Sequence, residues 1–144
     1  MTDQQYYAHR WLSRLWDYNT EIDQLVMRRQ KILDSLSGIG KYDAEHIPAN
    51  TGENSTESKN IEYSLLTEQI EKRLRFLGSE NVRTIEAIDN VDDTMLRGML
   101  KARYINRMTC TQVGKLYNYG RSRAYDYIKQ ALTEVEPYIP KEVV

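Results

Sequence analysis

The chain has 144 residues, a formal net charge of −1, and hydrophobic and charged fractions of 40% and 28%, which suit one folded, soluble domain or a small domain with an appendage. Seven Gly, three Pro and a single Phe, set among long stretches of Leu, Ile, Glu, Lys, Arg and Gln, favour an all-α fold, and no alternating strand pattern stands out. The lone Cys110 excludes an intrachain disulfide and a CxxC metal pair, and the lack of a long apolar run or signal-peptide pattern predicts a cytoplasmic chain with no membrane contact.

Tyr6 to Leu36 form one long periodic segment. Trp11, Leu15, Tyr18, Ile22, Leu25, Arg29, Ile32 and Leu36 are spaced four and three alternately, a heptad stripe interrupted at Arg29. Such a stripe wants a partner helix. It comes either from the same chain, as an antiparallel hairpin, or from a second subunit, as a coiled coil. On the second reading Trp11, Leu15, Tyr18, Ile22, Leu25, Ile32 and Leu36 are oligomerisation residues. Trp11 and Trp16 read first as core anchors, with a protein-binding face as the other reading.

Ser37–Asn60 holds Gly, Pro, Asn, Ser and Thr with few apolar residues and reads as a flexible connection. His46, beside Asp43 and Glu45, reads as part of a solvated loop, since no second histidine lies near it. His9, in the first helix, has no catalytic partner in sequence. A second helix is predicted over 59–89 on Tyr63, Leu66, Ile70, Leu74, Leu77, Ile85 and Ile88, with Gly78-Ser79 kinking or ending it. Antiparallel pairing of this helix with the first is the preferred architecture. Asn90-Val91-Asp92-Asp93 marks a boundary, and Leu96, Met99, Leu100, Tyr104 and Ile105 mark a third helix ending near Asn106.

Met108–Leu132 then reads as a short helix, a tight turn and a second helix rich in cations, the pattern of a helix-turn-helix. Thr109 and Gln112 have the spacing of a capping box, and Met108 and Val113 that of a hydrophobic staple. Gly114 is placed where two helices approach closely, and Asn118 at the turn, where a left-handed backbone is needed. Ala124, Tyr127, Ile128, Ala131 and Leu132 give the second helix an inner face, leaving Arg121, Ser122, Arg123, Tyr125 and Lys129 mainly on the other side. The tail TEVEPYIPKEVV leaves the helix near Glu136. The domains expected are 1–91 (hairpin, with the linker at 37–60), 92–133 (helix-turn-helix) and 134–144 (tail).

Charge is distributed unevenly. From Asp93 to Leu132, Arg97, Lys101, Arg103, Arg107, Lys115, Arg121, Arg123 and Lys129 stand against Asp93 and Asp126, a balance of +6 that leaves −7 elsewhere. A basic C-terminal module on an acidic N-terminal portion fits DNA binding by the former.

The block LKARYINRMTCTQVGKLYNYGRSRAYDYIKQAL resembles region four of bacterial sigma factors. It is more closely similar to the small phage and prophage regulators of the ArpU and RinA type. The matching residues are Arg103, Tyr104, Ile105, Thr109, Val113, Gly114, Tyr119, Arg121 and Tyr125. They cover about the last forty-five residues, the N-terminal helices matching only in general character. Gly120 and Asp126 depart from the pattern, at the usual recognition-helix cap and at a position where a base is common. The resemblance implies control of phage or prophage late genes by binding duplex DNA. Arg121, Ser122 and Arg123 would enter the major groove end-on, with Tyr125 one turn along the same face. Lys115, Lys129 and Lys101 or Arg107 suit phosphate contacts. Asp126 suits an ion pair with Arg123 or Lys129 better than a cytosine contact, and Tyr117, Tyr119 and Tyr127 read as core or wedge residues.

The expectation is therefore a sequence-specific double-stranded DNA-binding transcription regulator, working as a homo-oligomer, in the cytoplasm of a bacterial host, with RNA polymerase as a further candidate partner. A phage small terminase subunit, or a protein-interaction module that touches no DNA, are the alternatives. No catalytic set, cofactor motif or metal spacing is present in the sequence, so neither an enzyme nor a cofactor is expected.

Overall fold

The computed structural model describes residues 1–39 and 53–141. Among the described residues the helix-forming composition becomes five α-helices: α1 (Asp3–Ile39), α2 (Glu53–Ile88), α3 (Thr94–Leu100), α4 (Cys110–Tyr117) and α5 (Arg121–Val135). A π-helical turn, Lys101–Ile105, continues α3, and a 3₁₀ turn, Glu136–Tyr138, follows α5. The fold is all-α, with no strand among the described residues and no described helix long and apolar enough to cross a membrane. Two compact units are formed, one of Tyr18–Phe76 and one of Met1–Asp17 with Leu77–Val144.

In the Tyr18–Phe76 unit, α1 and α2 run antiparallel. Glu21 pairs with Arg73 at 3.0 Å, Arg28 with Glu62 at 2.8 Å, and Ser35 accepts from Lys59, so one residue number falls as the other rises. Exposed ion pairs of this kind contribute at most about 1 kcal/mol each. The apolar seam contributes more: Ile22, Ile32 and Ile70 are buried, and Tyr18 meets Phe76 edge-on at 5.0 Å. Arg29, the interruption in the heptad stripe, is accommodated by α2. Its guanidinium donates to Thr67 Oγ1 at 3.3 Å and lies 5.8 Å from the centre of the Tyr63 ring.

The stripe is covered within one chain. Trp11, Leu15, Ile22 and Ile32 are buried and Tyr18, Leu25 and Leu36 half-buried without any second copy, so an oligomer interface built on these seven residues is not what the packing provides. The connection is also shorter than its composition suggests. Helix reaches Ile39 and resumes at Glu53, and Lys59 donates to Ser35 across the hairpin. The remainder of it, with Asp43, Glu45 and His46, lies outside the described residues.

Helix α2 continues through Gly78 instead of breaking there. A Cβ added at Gly78 meets nothing within 4 Å. Gly78→Ala is therefore expected to raise stability by roughly 0.5–1 kcal/mol, the cost of glycine in a helix interior. A higher urea midpoint checks this; a lower one would mean that a bend at Gly78 serves the fold.

The other unit takes in more chain than 92–133. Its buried cluster joins Ala8, Trp11 and Leu12 of α1 and Ala87 and Ile88 of α2 to Leu96, Met99, Leu100, Val113, Ile128 and Leu132 of α3–α5. Three helices of 7, 8 and 15 residues enclose little volume by themselves, and the ends of the long helices supply the missing apolar surface. Gln5 ties α1 to α5, its Nε2 donating to the Lys129 carbonyl at 3.0 Å and to Thr133 Oγ1 at 2.9 Å. The tail is no separate piece either. Ile139 is buried in the same cluster, and the Tyr7 hydroxyl donates to the Pro140 carbonyl at 3.2 Å.

Candidate nucleic-acid interface

The path from α4 to α5 is set by local chemistry. Thr109 Oγ1 accepts from the Gln112 amide at 3.2 Å while Gln112 Oε1 accepts from the Thr109 amide at 2.9 Å, completing the capping box. Val113 is buried and Met108 packs against the same core. Asn118 closes the helix in the left-handed region, φ 63° and ψ 38°. The chain then folds back so tightly that Tyr119 donates its amide proton to the Gly114 carbonyl at 2.7 Å. Gly120 is the cap of α5, with an extended backbone and no side-chain bond to the helix.

Helix α5 buries Ala124, Ile128, Ala131, Leu132 and Val135 and exposes Arg121, Ser122, Arg123 and Tyr125. These exposed residues do not act as one group. Arg121, Ser122 and Tyr125 line one open cleft of about 420 Å³, together with Arg103 and Cys110. Arg123 is absent from that lining: its guanidinium lies 5.1 Å from the centre of the Tyr119 ring and 5.9 Å from that of Tyr127. Two residues along an α-helix, Arg121 and Arg123 point to opposite sides. Tyr119 and Tyr127 form a tilted pair 5.1 Å apart, so they serve as a half-buried platform for Arg123.

The +6 balance overstates the charge offered to a ligand. Lys101 pairs with Asp89 at 2.7 Å, and Arg97 donates to the Val91 carbonyl at 2.9 Å. Lys129 is half-buried, pairs with Asp126 at 3.4 Å and lies 4.9 Å from the centre of the Tyr125 ring. Lys115 and Arg107 are exposed, and Arg107 takes the left-handed backbone, φ 56°, that turns the chain out of the π turn toward the Thr109 cap. Arg121 has no acidic partner among the described residues.

Arg103 is not among the site residues that the sequence pattern suggests, and the reason is the π turn. In a regular α-helix, residue 103 follows Leu96 and Met99 by seven and four positions and falls on the inner face. Here the Asn106 amide bonds back to the Lys101 carbonyl at 3.0 Å, a step of five residues. The wider turn hands the inner position to Tyr104, which is buried, and leaves Arg103 at the edge. There its Nη1 donates to the Met108 carbonyl at 2.8 Å, and its guanidinium lies 4.4 Å from the centre of the Trp16 ring. Trp16 stacks on Tyr104 at 5.2 Å. A charged residue in a helical pattern gives no local signal of an inserted residue, which is why this role is hidden in the sequence.

His9 borders the same cluster, its Nδ1 2.7 Å from the Tyr104 hydroxyl. Burial, and after it the Arg103 charge, hold the imidazole below its usual 6.5, while burial pushes the Tyr104 hydroxyl up so that it stays a donor. The unfolded chain therefore binds a proton at His9 that the folded chain resists, and stability is lost as pH falls from about 6.5 toward the folded value. His9→Gln, which keeps an acceptor, is expected to flatten that acid-side fall in melting temperature. A slope equal to the wild type would assign the proton elsewhere.

No protein-family model, curated protein or solved structure matches the chain. What the interface can do rests on its own groups. The cleft carries two guanidinium groups, two hydroxyls and a thiol, with no carboxylate among the described residues that line it. It is a donor-rich surface suited to anions and to acceptor atoms on bases.

Proposed function

We propose that the chain is a sequence-specific duplex-DNA-binding transcription regulator of the ArpU and RinA kind, acting on phage or prophage late genes in the bacterial cytoplasm. The reading is carried by one observation: α4, the Asn118 turn and the start of α5 present Arg121, Ser122 and Tyr125 outside the core, on a cleft with no acidic lining among the described residues. A helix that enters the major groove by its first turn needs that exposure. Arg121 suits bidentate donation to guanine O6 and N7. Lys115 and Arg107 suit backbone phosphates, and Arg123, seated on Tyr119 and Tyr127, suits a positioned contact at the groove edge.

One such unit spans few base pairs, so a homo-oligomer on a repeated site is part of the proposal. Its contacts would lie outside the α1 stripe, which is already covered. RNA polymerase is a further proposed partner. The test is binding of the purified chain to its own upstream DNA and to a scrambled duplex across a salt series. A strong preference for the native duplex with a steep salt slope supports the regulator; equal binding to both supports a packaging role instead. Binding to neither at low salt rejects DNA as the ligand and leaves a protein partner.

A further inference from the structure

Arg103 belongs to the turn after α3, outside the helix-turn-helix, and yet it shares a cleft with the residues that begin α5. Its guanidinium is held from behind. The Met108 carbonyl takes one N–H, and Trp16 covers the group from 4.4 Å, itself braced by the stack on buried Tyr104. A guanidinium has five N–H donors in a rigid fork. Most of them remain for whatever enters the cleft. Arg121 brings a second positive charge to the same cleft, and the hydroxyls of Ser122 and Tyr125 complete a lining that offers donors and no carboxylate among the described residues.

We infer that Arg103 is a phosphate-contacting residue, and that the cleft it forms with Ser122 and Tyr125 receives one backbone phosphodiester of the duplex that α5 reads. The inference rests on the DNA-binding reading above. A phosphodiester suits the cleft because it is a compact anion with several acceptor oxygens and needs no donor in return. It relieves the mutual repulsion of Arg103 and Arg121. Because Arg103 is already fixed by Met108 and Trp16, little side-chain freedom is lost on binding. Its placement on a different element from Ser122 and Tyr125 also has a consequence. A phosphate gripped from both the π turn and α5 sets the angle of α5 on the duplex, and Arg121, on the same cleft, is then presented to the adjoining base edge.

The test uses the full chain, its upstream duplex and a scrambled duplex, titrated by fluorescence anisotropy over a salt series. Arg103→Met keeps the aliphatic stem over Trp16 and removes the charge. It is expected to weaken binding to both duplexes, on the order of tenfold for the scrambled one and at least as much for the native one, and to reduce the salt slope by roughly 1. Arg103→Lys is expected to keep the slope. An unchanged slope in Arg103→Met, or a loss confined to the native duplex, overturns the inference. Should Arg103→Met melt early, the decision passes to wild-type protein on duplexes carrying a single methylphosphonate at each position in turn. One position costing much more than its neighbours, and costing less with the uncharged Arg103→Gln but not with Arg103→Lys, supports the contact; no such position overturns it. Wild-type protein that binds neither duplex rejects the DNA reading itself, and that result requires no variant.

Discussion

Gly114→Ala is expected to destabilise the protein by about 2 kcal/mol, within the range for forcing an extra carbon into a packed site. The added Cβ would sit 2.5 Å from the Tyr119 carbonyl oxygen and 3.3 Å from that of Gly120. Both obstacles are backbone atoms, which no rotamer change can move. The Tyr119 amide also donates to the Gly114 carbonyl at 2.7 Å, so relieving the clash stretches or breaks that hydrogen bond, a further net loss of roughly 1 kcal/mol. Against this stands the better helix propensity of alanine, worth about 1 kcal/mol. The clash outweighs it, because α4 and α5 are both anchored in the core by Val113, Ala124 and Ile128 and cannot separate cheaply. Urea denaturation checks the value, with Gly78→Ala as the control of opposite sign. A Gly114→Ala midpoint equal to the wild type would mean that the turn opens without cost and that the two helices are less firmly placed than their packing implies.

Arg121→Ala is expected to lower the preference for the native over the scrambled duplex by about 10- to 100-fold, the worth of one bidentate guanine contact. Its melting temperature should stay near that of the wild type, since the side chain is exposed and has no acidic partner among the described residues. Arg123→Ala should behave differently. Its guanidinium rests on Tyr119 and Tyr127, so removing it costs packing of the platform as well as charge, and the loss of preference should be smaller. Comparing the two variants separates base reading from positioning. If Arg121→Ala keeps the full preference, the start of α5 is not the reading surface, whatever else the chain binds.

The parts of this molecule that were legible in the sequence are those decided within a few residues. The Thr109–Gln112 capping box, the left-handed Asn118, the glycine at 114 and the inner face of α5 each depend on backbone geometry that neighbouring residues dictate, and each takes the form its spacing predicts. Helix class follows in the same way, from summed propensity and from the scarcity of Gly and Pro. Only the tertiary structure decided what covers the α1 stripe, because a heptad pattern states that a partner is needed and not which chain supplies it. It also decided the extent of the unit around α3–α5, since the apolar area that three short helices lack comes in part from residues such as Ala8 and Leu12, far away in sequence. The cations were sorted there too: Lys101 and Lys129 meet carboxylates, Arg123 meets two rings, and Arg121 is left on the cleft. Arg103 joined it because one π turn moved a side chain by a single position, a change of hydrogen-bond register that the order of residue types does not encode.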